Sequence, residues 1–206
     1  MTDPILLKLR KDSSLLVDVC GLDLTQPLLW TVPAVLTAAE CRRCIALMEA
    51  KGPTPAPIST SRGLVMRPEV RSNSRVIFDD RRLAAELFER LAAHIPSHLL
   101  HMRAVGVNER FRFYRYQPGQ RFALHQDGTF ARSNEERSLL TLLIYLNQAG
   151  QDFTGGETAF PEQGQCIRPQ AGMALLFQHR LLHEGCAVKT GVKYALRSDI
   201  MYRVPR

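Results

Sequence analysis

The stretch FYRYQPGQRFALHQDG, residues 113–128, decides the fold. Aromatic and basic side chains alternate as far as Tyr116, Pro118-Gly119 marks a turn, and a second short strand follows. The same strand-like character continues downstream, in the segments 139–147, 173–177 and 192–204. About eight short strands separated by turn signals predict a β-sandwich or open barrel over residues 108–206.

The first half of the chain has a different period. Residues 30–100 show helical spacing, and Thr37-Ala-Ala-Glu40 has the form of a capping box at the start of a helix. A second helix is expected to begin near Asp79 or Asp80 and to end at Pro96. We therefore expect a single α+β domain over 1–206. Its residues 1–107 would form a helical support region packed outside a barrel core formed by residues 108–206.

The composition is that of an ordinary globular protein, with 45% hydrophobic residues among 206. No apolar run of about 18 residues predicts a membrane span. The N-terminus, residues 1–18, has no continuous apolar core of a secretion signal. Five cysteines, an odd number, argue against a disulfide framework, and Cys41-x-x-Cys44 lies within a helical pattern. These features favour a cytoplasmic location, and they leave the oligomeric state open.

The net charge of +7, from 27 basic against 20 acidic residues, is compatible with an acidic substrate or with nucleic acid. The basic residues are dispersed along the sequence, however, and form no long run. A solvated surface is the interpretation that this dispersion favours.

His125-Gln-Asp127 is the first feature with metal chemistry. Residues two apart on a strand point to the same face, so both side chains can reach one ion. His183 follows a later strand and supplies the third ligand of a facial triad, the site of non-haem iron(II) oxygenases. His179 is a rival for that place because it stands four residues before His183. Arg180, however, occupies the position where a metalloprotease helix has its catalytic Glu.

Several motifs in a fixed order add to this pattern: FYRYQPGQRFALHQDG, LTLLIYLN, GGETAFP, IRPQAGMALLF and HEGCAVKTGVKYALRSDIMY. Together they resemble the prolyl 4-hydroxylase branch of the iron(II)- and 2-oxoglutarate-dependent oxygenases. The resemblance extends from Arg110 to Tyr202 and implies a double-stranded β-helix, a jelly-roll or cupin-like barrel, with helices packed outside it. It also implies His125, Asp127 and His183 as the iron ligands.

The resemblance implies a set of 2-oxoglutarate contacts as well. In the family a Lys ten residues after the last iron-binding His holds the distal carboxylate, and Lys193 occupies that position. Arg197 should share its strand face and is a second candidate, for 2-oxoglutarate or for substrate. Tyr116, Thr141 and Tyr145 match further pocket positions. For these three, packing in the core is the alternative.

The activity implied by the resemblance is hydroxylation of a C–H bond in an amino-acid or peptidyl, prolyl-like substrate. It would use iron(II), dioxygen and 2-oxoglutarate, would release succinate and carbon dioxide, and has ascorbate as a candidate reductant. Asp127 favours hydroxylation, because related halogenases have a small residue in place of the carboxylate. A small molecule or a peptide is the expected partner.

Three other functions remain open from the sequence. They are a nucleic-acid alkyl demethylase of the same superfamily, a non-catalytic barrel that binds a metal or a small acid, and a zinc hydrolase. Loops 52–75 and 128–137 are candidate lids, since loops often carry specificity. Arg121, Arg132 and Arg137 are candidates to meet an acidic substrate group, with plain solvent exposure as the alternative for each.

Overall fold

The computed structural model describes residues 21–60 and 63–205. It contains two α-helices, α1 (Ala38–Ala50) and α2 (Arg81–Leu91), within those residues. The capping box predicted at Thr37 is confirmed, because its side chain accepts from the Glu40 backbone N–H while the Glu40 carboxylate accepts from the Thr37 backbone N–H. Asp80 caps α2 in the same region where the second start was predicted. The interpretation of residues 1–18 lies outside the described residues.

The described residues form seventeen strands. The first nine are β1 (Leu29–Val32), β2 (Thr54–Pro55), β3 (Ile58–Thr60), β4 (Gly63–Val65), β5 (Ser74–Asp79), β6 (His98–Leu99), β7 (Met102–Val107), β8 (Arg110–Tyr116) and β9 (Phe122–His125). The others are β10 (Glu136–Tyr145), β11 (Phe153–Gly155), β12 (Thr158–Phe160), β13 (Gln165–Ile167), β14 (Ala174–Gln178), β15 (His183–Gly185), β16 (Val188–Gly191) and β17 (Lys193–Arg203).

Two antiparallel sheets build the barrel. The large sheet has the order β1-β14-β10-β17-β8-β5-β2, and β7, which carries β6, also pairs with β17. The small sheet has the order β13-β12-β15-β9. Contacts across the gap hold the two together, such as the hydrogen bond from Tyr145 to Thr158 and the ring contact between Phe160 and Phe177. This is the double-stranded β-helix that the sequence predicts, with an α+β composition.

The two faces of the large sheet differ in chemistry because side chains alternate along each strand. On β10, Leu140, Leu142 and Ile144 belong to one buried apolar cluster, which also contains Met48 of α1 and Leu87 of α2. The side chains between them, Thr141 and Leu143, line a cavity on the other face. The apolar face therefore forms the core, and the opposite face is free for a polar site.

The prediction of a helical segment from 30 to 100 is wrong in part. Besides α1 and α2, that region contributes β1 and β5 to the large sheet, and β3 and β4 form a hairpin within the predicted loop 52–64. Ser74–Asp79 pairs with β8 along its whole length, and its Val, Ile and Phe side chains suit a strand. This six-residue run is too short to outweigh the helical patterns on either side when the sequence is read alone.

No helix among residues 21–60 and 63–205 is both long enough and apolar enough to span a membrane. Cys41, Cys44, Cys166 and Cys186 are all free thiols. Burial raises the pKa of the Cys44 thiol to about 11, as expected for an unreactive side chain within a helix.

Candidate metal centre

The two histidines of the predicted triad lie side by side in the small sheet. His125 ends β9 and His183 begins β15, and they are direct partners in the antiparallel ladder. Asp127 follows two residues after His125. One ligand atom from each of the three side chains lies within 4.8 Å of the others. The Asp127 carboxylate is 3.8 Å from His125 Nε2 and 3.7 Å from His183 Nε2.

Backbone carbonyls orient both imidazoles. His125 Nδ1 lies 2.8 Å from the carbonyl oxygen of Ala123, and His183 Nδ1 lies 3.0 Å from that of Leu181. A carbonyl only accepts, so each Nδ1 carries the proton and each Nε2 presents a lone pair toward Asp127. Burial, with the neighbouring His183, lowers the pKa of His125 to about 4 and keeps it neutral at ordinary pH. Neutral imidazoles are the form that binds metals.

Asp127 is held ionised and fixed in place. Burial by itself raises the pKa of its carboxyl, but the charge of Arg197 lowers it, and the pKa lies well below the usual range. Arg197 Nη2 lies 3.2 Å from Oδ1, and Thr141 Oγ1 donates to Oδ2 at 2.6 Å. The carboxylate is therefore available as an anionic ligand without a proton to displace.

His179, the rival third ligand, is not one of the three clustered side chains. It supports them indirectly, through a hydrogen bond to Thr141. Its Nδ1 lies 2.9 Å from Thr141 Oγ1, and its Nε2 lies 2.8 Å from Ser138 Oγ. Since the Thr141 hydroxyl donates its proton to Asp127, it must accept from Nδ1–H, and Ser138 then donates to Nε2. The chain Ser138–His179–Thr141–Asp127 is thus fully paired with His179 neutral, in agreement with a pKa lowered to about 4 by burial.

This chain makes Thr141→Val an informative variant. We expect iron(II) affinity to fall by roughly 10- to 100-fold, the usual effect of removing a hydrogen bond to a ligand. Thr141→Ser keeps the hydroxyl and should retain affinity near that of wild type. Anaerobic iron(II) titration of the three proteins is the measurement. Equal affinities for the valine and serine variants would contradict the role given to the hydroxyl.

Lys193 lies at the start of β17 and is buried, with 3% of its surface exposed. Its Nζ donates to the Gly156 carbonyl at 2.6 Å and lies 5.2 and 5.4 Å from the ring centres of Tyr116 and Tyr145. Burial lowers its pKa to about 8. Among the described residues no carboxylate forms an ion pair with it. A buried cation of this kind requires an anion, and a carboxylate of a bound acid fits.

Of the other predicted co-substrate residues, Tyr116, Thr141 and Arg197 line the cavity with Lys193, whereas Tyr145 is not part of its lining. Tyr116 pairs with Lys193 across β8 and β17, and the Tyr145 hydroxyl is hydrogen-bonded to Thr158. The Thr141 hydroxyl is committed to Asp127 and His179 instead. Arg197 contacts Asp127 at 3.2 Å and Asp199 at 3.1 Å, so its present partners are the triad carboxylate and a neighbour on its own strand.

A cavity of about 690 Å³ opens above the triad between the two sheets. His125, Asp127 and His183 line it together with Lys193 and Arg197. Two histidines and one carboxylate would hold a divalent metal while leaving room for other ligands, and all three side chains line the cavity. The donor set fits iron(II).

The arginines nominated from the sequence are not the ones in the cavity. Arg132 is paired with Glu109 and Glu136, and Arg121 and Arg137 donate to backbone carbonyls; none of the three lines the cavity. The lining instead includes Arg71, Arg75, Arg110 and Arg112, with Tyr114 between them. For Arg71 and Arg75 the sequence offered one signal. In Arg71-Ser-Asn73-Ser-Arg75, long polar side chains alternate with serines, a pattern typical of one face of a strand.

Fold and site together define a double-stranded β-helix with a facial metal triad. The model of the 2OG-Fe(II) oxygenase superfamily matches residues 111–198, which contain the triad and Lys193. This matched region, which is less than half of the chain, is therefore similar to members of that superfamily.

Individual relatives show the same similarity. A protein of Acanthamoeba polyphaga mimivirus named "Putative prolyl 4-hydroxylase" is 33% identical over 104 residues, and the alignment covers 42% of each chain. A viral collagen prolyl hydroxylase of Paramecium Bursaria Chlorella virus-1, solved with 2OG, gives a TM-score of 0.62 at 22% identity, covering 89% of this chain and 99% of that one. A prolyl hydroxylase of Trichoplax adhaerens, solved with a peptide fragment of hypoxia inducible factor, gives 0.62 at 18% identity, covering 97% and 93%. These structural matches show the shared fold.

Proposed function

We propose that the chain is an iron(II)- and 2-oxoglutarate-dependent dioxygenase that hydroxylates a C–H bond of an amino-acid or prolyl-like peptidyl substrate. One observation carries the proposal. A facial triad and a buried lysine, which no carboxylate of the described residues pairs with, line the same cavity. A metal hydrolase needs the triad but has no use for the lysine, whereas an enzyme that binds a dicarboxylate beside its metal needs both.

The residues divide the work as follows. His125, Asp127 and His183 would hold iron(II), and Lys193 would hold the distal carboxylate of 2-oxoglutarate. Iron(II), 2-oxoglutarate and dioxygen would together supply the oxidation. In it, 2-oxoglutarate gives succinate and carbon dioxide while one oxygen atom enters the substrate C–H bond. Thr141 and Arg197 keep the Asp127 carboxylate oriented, and His179 keeps Thr141 oriented. The buried apolar rings of Phe160 and Phe177 exclude water behind His183.

Succinate formation from 2-oxoglutarate tests this function. The full chain is prepared without oxygen, loaded with iron(II) and ascorbate, and then exposed to oxygen in the absence of other substrates. We expect slow succinate release that requires both iron and oxygen, and faster release when a substrate is found among free amino acids and proline-containing peptides.

Binding measurements decide the case in which no turnover is seen. Anaerobic titrations with iron(II) and then with 2-oxoglutarate use the same preparation. If neither binds, the proposed function is wrong. Hydrolytic activity that needs zinc but neither oxygen nor 2-oxoglutarate would replace it with the hydrolase.

A further inference from the structure

Two arginines on the cavity wall have no acidic partner among residues 21–60 and 63–205. Arg71 and Arg75 line the cavity, and neither forms an ion pair with a carboxylate within the part of the chain that the structure describes. Every other lining cation has an assignment. Arg110 pairs with Asp79, Arg112 and Arg197 with Asp199, and Lys193 is assigned to 2-oxoglutarate. The wall therefore carries two positive charges that neither the fold nor the proposed co-substrate uses.

Arg71 is built into the wall and does not lie on the surface. Its exposure is 6%, and its guanidinium carbon lies 4.6 Å from the ring centre of Tyr114 and 4.4 Å from that of Phe122. Its Nε donates to Asn73 Oδ1 at 2.8 Å, but its buried Nη2 has no hydrogen-bond partner. A buried guanidinium N–H without a partner is costly, so the site calls for an acceptor that reaches into the cavity.

Tyr114 shows how strongly positive this wall is. Burial alone would raise the pKa of its phenol, but Arg71, Arg197 and Arg112 together lower the pKa below its usual value. Burial and the neighbouring Arg71 likewise lower the pKa of Arg75. Cations crowded in a recess of low dielectric attract an anion strongly, because little water is present to screen them.

The positive wall is separate from the lysine end of the cavity. Lys193 and Arg197 are four residues apart on one face of β17, which corresponds to roughly 13 Å along a strand. Ala195, midway between them, pairs with Tyr114 of β8, and Tyr114 pairs in turn with Arg75 of β5. Arg75 therefore lies two strands away from β17, at a distance from the place next to Lys193 that is assigned to 2-oxoglutarate.

We propose that the substrate is a small acid, and that Arg71 and Arg75 bind its anionic oxygens beside the triad. This rests on the proposed function and names its substrate class. A free amino acid or another small carboxylate fits better than a residue inside a peptide, since a peptide-bonded residue has no main-chain carboxylate to offer. A cavity of about 690 Å³ is also of a size that holds small molecules. A guanidinium pair binds phosphate by the same chemistry, so a phosphorylated small molecule is the other source of the anion.

The test is ligand-induced thermal stabilisation of the full chain, loaded without oxygen with Mn(II) in place of iron and with 2-oxoglutarate. The probes are the free L-amino acids, short carboxylic acids and small phosphate esters. Each acid is compared with its neutral amide or unphosphorylated form. We expect at least one acid, but not its neutral counterpart, to raise Tm. A carboxylate or a phosphate ester as the responding probe identifies the source of the anion.

Two variants connect the effect to the wall. Arg75→Gln should weaken binding of that acid by roughly 10- to 100-fold, the range for losing a charge-assisted hydrogen bond. Arg71→Lys keeps the charge, loses the fork geometry and should weaken it less. Arg82→Gln, the same change at an exposed position of α2, is the matched control and should bind as wild type does. All three should keep the wild-type affinity for 2-oxoglutarate.

Three outcomes of the acid-binding measurements would overturn the inference. They are a response to neutral proline peptides or alkylated oligonucleotides but to no small acid, a response to no probe at all, and unchanged acid binding in Arg75→Gln. If Arg75→Gln instead loses 2-oxoglutarate, the wall serves the co-substrate and the inference is wrong. The loading step with Mn(II) and 2-oxoglutarate separates the proposed function from the proposed substrate class. If the chain binds neither Mn(II) nor 2-oxoglutarate, the proposed function is contradicted, whatever the acids do.

Discussion

Asp127→Ala is expected to abolish turnover of 2-oxoglutarate and to reduce iron(II) affinity by more than roughly 100-fold, the upper range for losing a hydrogen bond to a metal ligand. The carboxylate is the only anionic ligand in the cluster His125, Asp127 and His183. Without it, two neutral imidazoles remain to hold a divalent ion. Succinate release and anaerobic iron(II) titration measure the two effects on the same samples.

The controls separate loss of the ligand from loss of the fold. Asp127→Asn preserves the shape and can still accept from Thr141, so its fold should resist heating like that of wild type while iron binding is weakened. Glu162→Ala removes a carboxylate from an exposed position outside the cavity and should leave both affinity and turnover unchanged. Near wild-type turnover in Asp127→Ala would remove this carboxylate from the proposed metal site.

The barrel half of the fold could be predicted because its signals are local. The apolar run from 139 to 147 overlaps β10, and the alternating segment from 192 to 204 contains β17. The spacing of His125 and Asp127 predicted that both lie on one face of a strand; in the structure β9 ends at His125 and Asp127 lies just beyond it, but the two side chains still come together. His183 could be added because the ordered motifs of a known family fixed its position relative to those two.

The arginines of the cavity wall could not be predicted, because long-range pairing places them there. Arg75 reaches the cavity because β5 pairs with β8, some 40 residues later, and Arg71 forms an isolated bridge to Phe122. Neither partner is encoded near the arginine itself. The sequence therefore predicted acid-binding arginines in the loops next to the triad, where Arg132 is already neutralised by Glu109 and Glu136.

The role of Thr141 was also out of reach of the sequence. Its position in an apolar strand predicts either core packing or a pocket contact, and both descriptions are compatible with its burial. Its role is decided by the direction of two hydrogen bonds: Thr141 on β10 donates to Asp127, which follows β9, and accepts from His179, which follows β14. That direction depends on three side chains meeting, and only the folded arrangement brings Asp127 and His179 to the same hydroxyl.

The second large effect concerns Lys193. We expect Lys193→Met to weaken 2-oxoglutarate binding by roughly 30- to 100-fold, because a buried carboxylate would lose the cation assigned to it. Iron(II) affinity should be unchanged, since Lys193 touches none of the three ligands. Lys189→Met makes the same replacement at an exposed site on β16 and should bind 2-oxoglutarate normally. Isothermal titration without oxygen measures all three proteins.

The pH dependence of this binding follows from the lysine. Its pKa in the fold is about 8, below the ordinary value of 10.5, because burial disfavours the charged form. Below pH 8 the amine is protonated and can hold a carboxylate. Above it, 2-oxoglutarate affinity of the wild type should fall about tenfold per pH unit, as one proton must be taken up with the ligand. The affinity of Lys193→Met should stay flat over the same range.

The lowered pKa of Lys193 also predicts whether this lysine stabilises or destabilises the fold, and that sign distinguishes a binding lysine from a structural one. In the ligand-free protein, the fold is most stable with respect to this group above pH 10.5, where the amine is neutral in both states. It loses that stability as the pH falls from 10.5 to about 8, because over this range the amine takes up a proton in the unfolded chain but not in the fold, and below about 8 the loss is complete. At neutral pH, Lys193→Met should therefore unfold at the same temperature as wild type or higher, although it has lost 2-oxoglutarate. A large drop in Tm with unchanged 2-oxoglutarate affinity would make Lys193 a packing residue and leave the co-substrate site elsewhere on the cavity wall.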